Sequence, residues 1–487
     1  MESSTNKCGY PRLKKYIGLV IGVLFMHLST QADASLSLRI GIPKFSVDTS
    51  VKAAIIQLLT LPAEMAKLNY PKSVGRFYSK ANYEPSWINT TSGIEDTREA
   101  IAMLSCVVKY GLSPADYHPK DLNSSTMNVI LASPSTVTPE QKARFDMLMT
   151  DALISFINNL HYGKLNPVYT RTIIDNNEVP GFSANSILTL ALNQQEFVGI
   201  VLSAQPQAKE YVLLQNYMKD LKGQYIDDCL EAPEAMVRKL AINMERLRWA
   251  AINQDVYVHV NIPSYNLKLN TPATSYQFNV IVGKPTSPTP ELQSLITYFE
   301  TAPDWKVPSS IFIKEMLPKA IKNPAYLDNN HLSIYDSKGN YVQGTKANLA
   351  IVKKNPSRYY MRQSAGCDNS LGLVIFRFKN PFSIFLHDTP NQQMFDRKVR
   401  ALSHGCIRVQ QAEKLGTIFL ELDGQNNKIA SFHQGITQVA AKTFKLKKPI
   451  PIKITYLTCE IGVNGIVEYN DVYNRDRALE LALFGTN

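Results

Sequence analysis

The sequence predicts an α+β protein: a helical N-terminal scaffold followed by a β-rich domain that a long insertion interrupts. Three observations carry this reading. Apolar residues recur with a helical period from Val51 to about Ala232, the period changes to two near Asp255, and from Trp305 to about Asn369 it weakens around Pro308, Pro318 and Pro324. At 487 residues the chain has room for about three folded units of roughly 150 residues each. With 45% of residues in the apolar set and 19% charged, wholesale disorder is excluded. The 52 Lys and Arg against 41 Asp and Glu leave a net charge of +11, far from a polybasic tail, so no nucleic-acid partner is expected.

Taken in order, residues 1–34 read as a targeting segment. Lys7, Arg12, Lys14 and Lys15 precede the mostly apolar run Ile17 to Leu28, and Ala32-Asp33-Ala34 follows, the pattern of a secretory signal cut before Ser35. The apolar run falls short of the roughly 20 residues a spanning helix needs, which favours cleavage over an uncleaved inner-membrane anchor. An exported basic protein suits an anionic matrix such as cell wall.

Residues 35–232 read as a helical scaffold domain. Thr138-Pro139-Glu140-Gln141 combines an N-cap, a proline at the first helical position and a capping-box glutamine, and opens one long helix ending at Gly163. Further helices are expected from Thr97 to Tyr110, from Asn185 to Ala204 and from Pro233 to Ala251. Residues 233–487 then form the β-rich domain. Its expected strands are Val256 to Val260, Tyr276 to Val282, Leu373 to Phe378, Ser383 to His387, Ile450 to Leu457 and one more after Gly465. The insertion, about 305–369, reads as an ordered lid, because a loop that long in a compact domain is functional or disordered and this one carries Trp305, Tyr326 and Tyr335.

Six cysteines are present, and removal of Cys8 with the signal leaves five, an odd number in an oxidising compartment, so at least one thiol stays unpaired. No metal-ligand spacing occurs, and neither a metal nor a cofactor is expected. The chemistry concentrates in Ser403-His404-Gly405-Cys406-Ile407-Arg408-Val409, with His387 nineteen positions before Cys406 at the end of an expected strand. A thiol is mostly protonated at neutral pH, and an imidazole beside it can take its proton. Gly405 allows the backbone to turn its amides toward a developing oxyanion. His preceding Cys argues against a papain-like peptidase, in which Cys precedes His.

This constellation resembles the L,D-transpeptidases of bacterial cell walls, whose catalytic domain carries an upstream His and then S-H-G-C-x-R. The long periplasmic Gram-negative members are most similar, through Phe77-Tyr78, Pro85-Ser86-Trp87 and the Gly163-to-Pro167 turn, through Arg246-Leu247-Arg248-Trp249, and through Arg362-Gln363 with Asn369-Ser370-Leu371-Gly372. One departure stands out: only Lys222 to Pro233 occupies the place where those proteins carry a peptidoglycan-binding repeat.

The resemblance implies that Cys406 attacks the diaminoacyl–D-alanine bond of a tetrapeptide stem and that His387 is base and then acid. The backbone carbonyl of Asp388 would orient the imidazole, and amides near His404, Gly405 and Cys406 would form the oxyanion hole. Arg408 is either a charge near substrate carboxylates or half of a buried ion pair. Ser403, Arg362, Gln363 and Asn369 are candidate substrate-binding residues, and His404 either touches substrate or braces the turn. Peptidoglycan stems are the implied donor and acceptor, wall synthases or hydrolases the implied protein partners, the periplasm the implied location, and carbapenems the implied inhibitors. Transfer to water, to a free D-amino acid or to a lipoprotein lysine uses the same acyl-enzyme, and a non-catalytic wall-binding protein is the rival from another class.

Overall fold

The computed structural model describes residues 49–88, 91–132, 136–224, 234–250 and 254–485. The expected export signal, Cys8, Cys229 and most of the Lys222-to-Pro233 segment lie outside them. Among the described residues no helix is long and apolar enough to cross a membrane.

Two compact units form. Among the described residues, the first comprises those from 49 to 160 together with Val168–Ala204, and the second His161–Pro167 with those from 205 to 485. The described residues 205–224 fall in the second unit by their contacts.

The first unit is all helical and built around Pro139–Tyr162. The capping box closes reciprocally, the Thr138 amide donating to Gln141 Oε1 at 2.9 Å and the Gln141 amide to Thr138 Oγ1 at 3.3 Å. This helix is buried on every side, so its polar residues need internal partners. Asp146 accepts from Tyr78 Oη (2.6 Å) and from the amides of Ser86 and Trp87. Asp151 accepts from the amides of Asn69 and Tyr70 and lies 2.6 Å from His118 Nε2. The two carboxylates thereby tie the surrounding loops to the central helix. The expected helix from Asn185 to Ala204 is two, Ala184–Leu192 and Phe197–Leu202. The polar stretch from Asn193 to Glu196 interrupts it, and Asn193 bonds its own side chain back to the Thr189 carbonyl.

The second unit holds the strands β1 (Tyr257–Asn261), β2 (Asn266–Asn270), β3 (Ser275–Gly283), β4 (Leu292–Thr301), β5 (Trp305–Lys306), β6 (Leu332–Asp336), β7 (Tyr341–Val342), β8 (Tyr359–Gln363), β9 (Val374–Phe378), β10 (Leu386–His387), β11 (Ala401–Ser403), β12 (Ile407–Val409) and β13 (Lys442–Thr455). Nine of these make one sheet in the order β11-β3-β12-β10-β9-β4-β13-β1-β2, and β2 also pairs with β3, so the order closes on itself. Val258, Leu267, Val280, Phe299, Phe376, Leu386 and Ile407 fill the interior with the helix Ala412–Leu422 against them. The strand expected at Ile450 to Leu457 matches the second half of β13, whose first half carries Lys442, Lys445, Lys447 and Lys448.

The insertion is ordered. Strands β5-β8-β6-β7 form a separate sheet, and Phe312, Leu317, Leu327, Ile334, Leu349 and Met361 make a core of its own. It leaves the large sheet after β4 and re-enters at β9, where Thr301 pairs with Val374 and the Ala302 amide donates to Leu373 O at 2.8 Å. Exit and entry are therefore adjacent rungs of one antiparallel ladder.

Replacing residues 304–370 by a short glycine-containing turn should leave a cooperatively folded catalytic unit, with a stability change of order 1–2 kcal/mol, since loop length costs little and the two cores are separate. Thermal melting by circular dichroism tests this, and loss of the cooperative transition would make the insertion part of the fold.

Candidate active site

The shortest strands of the large sheet place the reactive groups. β10 and β12 run parallel with Leu386 opposite Ile407 and His387 opposite Arg408. Leu386 and Ile407 are fully buried in the core, so alternation turns His387, Arg408 and Cys406 to the other face. One register thus gathers the imidazole, the thiol and the guanidinium, although they come from two segments.

His387 is buried, and its Nδ1 donates to the Asp388 carbonyl at 2.5 Å, leaving Nε2 as the basic nitrogen. Burial above all, with the nearby Arg408 charge, pushes its pKa down to about 4, against the pull of the Asp388 and Leu371 backbones. The Asp388 carboxylate serves elsewhere: it accepts from the Leu373 amide (3.0 Å) and Gln392 Nε2 (3.2 Å), and a Cβ on Gly372 would lie 2.5 Å from it. Only glycine fits there, at φ +64°.

Cys406 is half-buried, its thiol donating to the Ser383 carbonyl at 3.8 Å. Burial raises its pKa to about 11, while the Phe385 backbone and Arg408 oppose the shift. Low polarity thus favours a neutral thiol beside a neutral imidazole. The Ser383 carbonyl is aimed by Asn380, whose Oδ1 accepts from the amides of Phe382 and Ile384 and whose Nδ2 donates to the carbonyls of Phe378 and Ile384. Ser383 itself has φ +56°, which ends the strand expected from Ser383 to His387 at its first position.

The turn carrying Cys406 is held from inside. Ser403 Oγ donates to the Cys406 carbonyl at 2.5 Å and accepts from the Gly405 amide at 3.1 Å. Ser403 therefore braces the turn, and the Gly405 amide is already engaged. The amides of His404 and Cys406 bond to nothing among the described residues. Gly405 has φ +118°, and its carbonyl accepts from Thr289 Oγ1 at 2.7 Å. Thr289, which sequence reasoning missed, also accepts from the Gly283 amide at 2.8 Å, and no local motif announces a brace more than a hundred positions away.

The other candidates separate. Arg408 has no carboxylate partner among the described residues; Nη1 meets Met394 Sδ at 3.4 Å, and its buried Nε is unpaired. No buried ion pair of Arg408 forms among the described residues. His404 Nε2 lies 2.7 Å from Glu315 Oε1 of the insertion. Gln363 and Asn369, expected to bind substrate, are buried and spend their amides on backbone: Gln363 on Asn330 O and the Ser370 amide, Asn369 on Pro303 O, Ser364 O and the Leu371 amide. They fasten the base of the insertion. Arg362 lies on β8 of the insertion, paired with Asp304.

Cys106 is disulfide-bonded, Cys459 is buried and free, and Cys367 is exposed and free. With Cys367 exposed, Cys406 is not the one accessible thiol. Among the described residues no cluster of metal-binding side chains occurs.

Residues 72–218 match the family model of a scaffold domain, and residues 255–419 match that of the L,D-transpeptidase catalytic domain. The chain is also similar to a Haemophilus influenzae protein named "Putative L,D-transpeptidase", 27% identical over 472 residues that cover 95% of this chain and 90% of the relative.

In a Cys367→Ser background, the rate of Cys406 alkylation by iodoacetamide should still be rising at pH 10, because burial holds the thiol pKa near 11. A plateau below about pH 8 would instead reveal a preformed thiolate–imidazolium pair.

Proposed function

The chain carries an L,D-transpeptidase catalytic domain behind a scaffold domain, and from that premise we propose that it crosslinks peptidoglycan stems in the periplasm. The observation that supports this most is the convergence of His387, Cys406 and an unpaired Arg408 on one face of β10 and β12.

The donor is a tetrapeptide stem. Its carboxylate meets the Arg408 guanidinium, a charge-assisted contact that the buried, unpaired Nε favours. The scissile carbonyl between the diamino acid and terminal D-alanine lies over Cys406. As sulfur bonds to the carbonyl carbon, the thiol proton passes to His387 Nε2, and the new oxyanion accepts from the amides of His404 and Cys406. Imidazolium then gives its proton to the departing D-alanine nitrogen as the C–N bond breaks, leaving a thioester on Cys406. In the second half, the side-chain amine of another stem attacks the thioester carbonyl and His387 takes its proton. Collapse releases the crosslinked product and returns the proton to sulfur. The Asp388 carbonyl keeps Nδ1 protonated throughout, so Nε2 serves both halves. A carbapenem substitutes for the donor because its strained carbonyl acylates the same sulfur.

Purified protein incubated with tetrapeptide muropeptides should yield crosslinked dimers by mass spectrometry. Tripeptide products alone would assign it to the L,D-carboxypeptidases. Cys406→Ala should abolish all turnover while leaving the melting transition in place, and meropenem should add one adduct to the parent and none to this variant. Crosslinking retained by Cys406→Ala would end the proposal. Arg408→Gln should raise donor KM more than it lowers kcat, by roughly tenfold or more, as loss of one charge-assisted bond predicts.

A further inference from the structure

A peptide group is planar, so whatever holds its carbonyl also aims the N–H on its opposite edge. Two peptide groups of the catalytic turn are held in this way by one loop, the connection from β3 to β4. The Lys284 amide donates to the Ser403 carbonyl at 2.9 Å, which turns the His404 N–H, the other edge of that peptide group, away from the loop. Thr289 Oγ1 donates to the Gly405 carbonyl at 2.7 Å and does the same for the Cys406 N–H. Both of these N–H groups bond to nothing among the described residues.

The direction of the Thr289 bond is forced. A hydroxyl has one proton, a backbone amide only donates and a carbonyl only accepts. Since the Gly283 amide already donates to Thr289 Oγ1 at 2.8 Å, the Thr289 proton goes to the Gly405 carbonyl. Thr289 is fully buried, so the arrangement is out of reach of solvent. Tyr473 ties the same two residues from the C-terminal side: its Oη donates to the Gly283 carbonyl at 2.6 Å and accepts from the Thr289 amide at 3.2 Å. Its own place is fixed by Tyr456, on which its ring stacks at 5.4 Å and to whose Oη its amide donates at 2.6 Å. Arg475, 5.1 Å from the Tyr473 centroid, pairs at 2.6 Å with Glu291 just beyond the loop. Tyr473 lies past residue 419, where the match to the catalytic-domain family ends.

We propose that Thr289 and Tyr473 are positioning residues for acyl transfer. Thr289 aims the Cys406 N–H by holding the Gly405 carbonyl, and Tyr473 locks the loop that carries both Thr289 and Lys284. The inference rests on the transpeptidase reading, in which a carbonyl oxygen gains charge beside these amides. Such hydrogen bonds also stabilise a loop whatever the chemistry, so the two roles are told apart by reaction type. Attack of the Cys406 sulfur on a carbonyl builds an oxyanion, whereas displacement of iodide from iodoacetamide by the same sulfur builds none.

The test uses the full chain in the Cys367→Ser background. p-Nitrophenyl acetate passes its acetyl group to Cys406 with release of p-nitrophenolate, iodoacetamide alkylates the same thiol with release of iodide, and peptide mapping follows Cys406 in both. Thr289→Val should slow acetylation roughly ten- to hundredfold and Tyr473→Phe roughly three- to tenfold, each with alkylation within about twofold of the parent. Thr289→Ser should restore acetylation, and with muropeptide donors the loss should fall on kcat while KM stays unchanged. Acetylation at the parent rate in both folded variants would overturn the proposal. So would equal slowing of acetylation and alkylation, the outcome of a general loosening of the turn. Should Thr289→Val fail to fold, Tyr473→Phe, which keeps the stacked ring, decides by the same ratio. The ester needs no peptidoglycan, so a parent that is acetylated but crosslinks no muropeptides would count against the transpeptidase reading and leave this ratio decisive.

Discussion

The parallel pairing of β10 with β12 is the constraint on which the rest of the active site depends. Each strand is only two or three residues long, so neither holds its place by its own ladder. They are fixed by burial of Leu386 and Ile407 and by the longer β9 and β3 on either side. A slip of one residue would send His387 and Cys406 into the core and bring Leu386 and Ile407 out. The sheet's closure on itself suppresses such slips, and much of the fold can be understood as holding one register.

Burial has a second effect at the same place. It drives imidazole and thiol toward their neutral forms, so the ground state resists ionisation. Arg408 modulates both groups from the same face. Its charge disfavours imidazolium and favours thiolate. The Ser383 carbonyl acts in the opposite sense by accepting from the thiol.

What could be read from the sequence divides along physical lines. The helical half, the change of period near Asp255 and the ordered insertion were legible because amphipathic period, caps and prolines are local signals. The Thr138–Gln141 box formed as written. Residues whose role depends on a distant partner were not legible. Thr289 braces Gly405 and Glu315 reaches His404, yet nothing near either residue marks it. The backbone groups that Ser403, Gln363 and Asn369 hold were not foreseen, because sequence shows a polar side chain but not whether a backbone group has already claimed it. The short β10 was overextended because Ser383 adopts a left-handed backbone that the apolar pattern does not disclose.

The insertion begins and ends on neighbouring rungs of β4 and β9, with Thr301 and Val374 already paired across the junction. Such a junction tolerates inserts of any size without disturbing the register of the strands that flank it. The outer module can consequently diverge on its own evolutionary clock, gaining or losing surface specificity while the reaction centre stays under separate selection. For engineering, the same junction is a graft point: a foreign recognition module spliced there would inherit a position over the reaction centre without any redesign of the sheet.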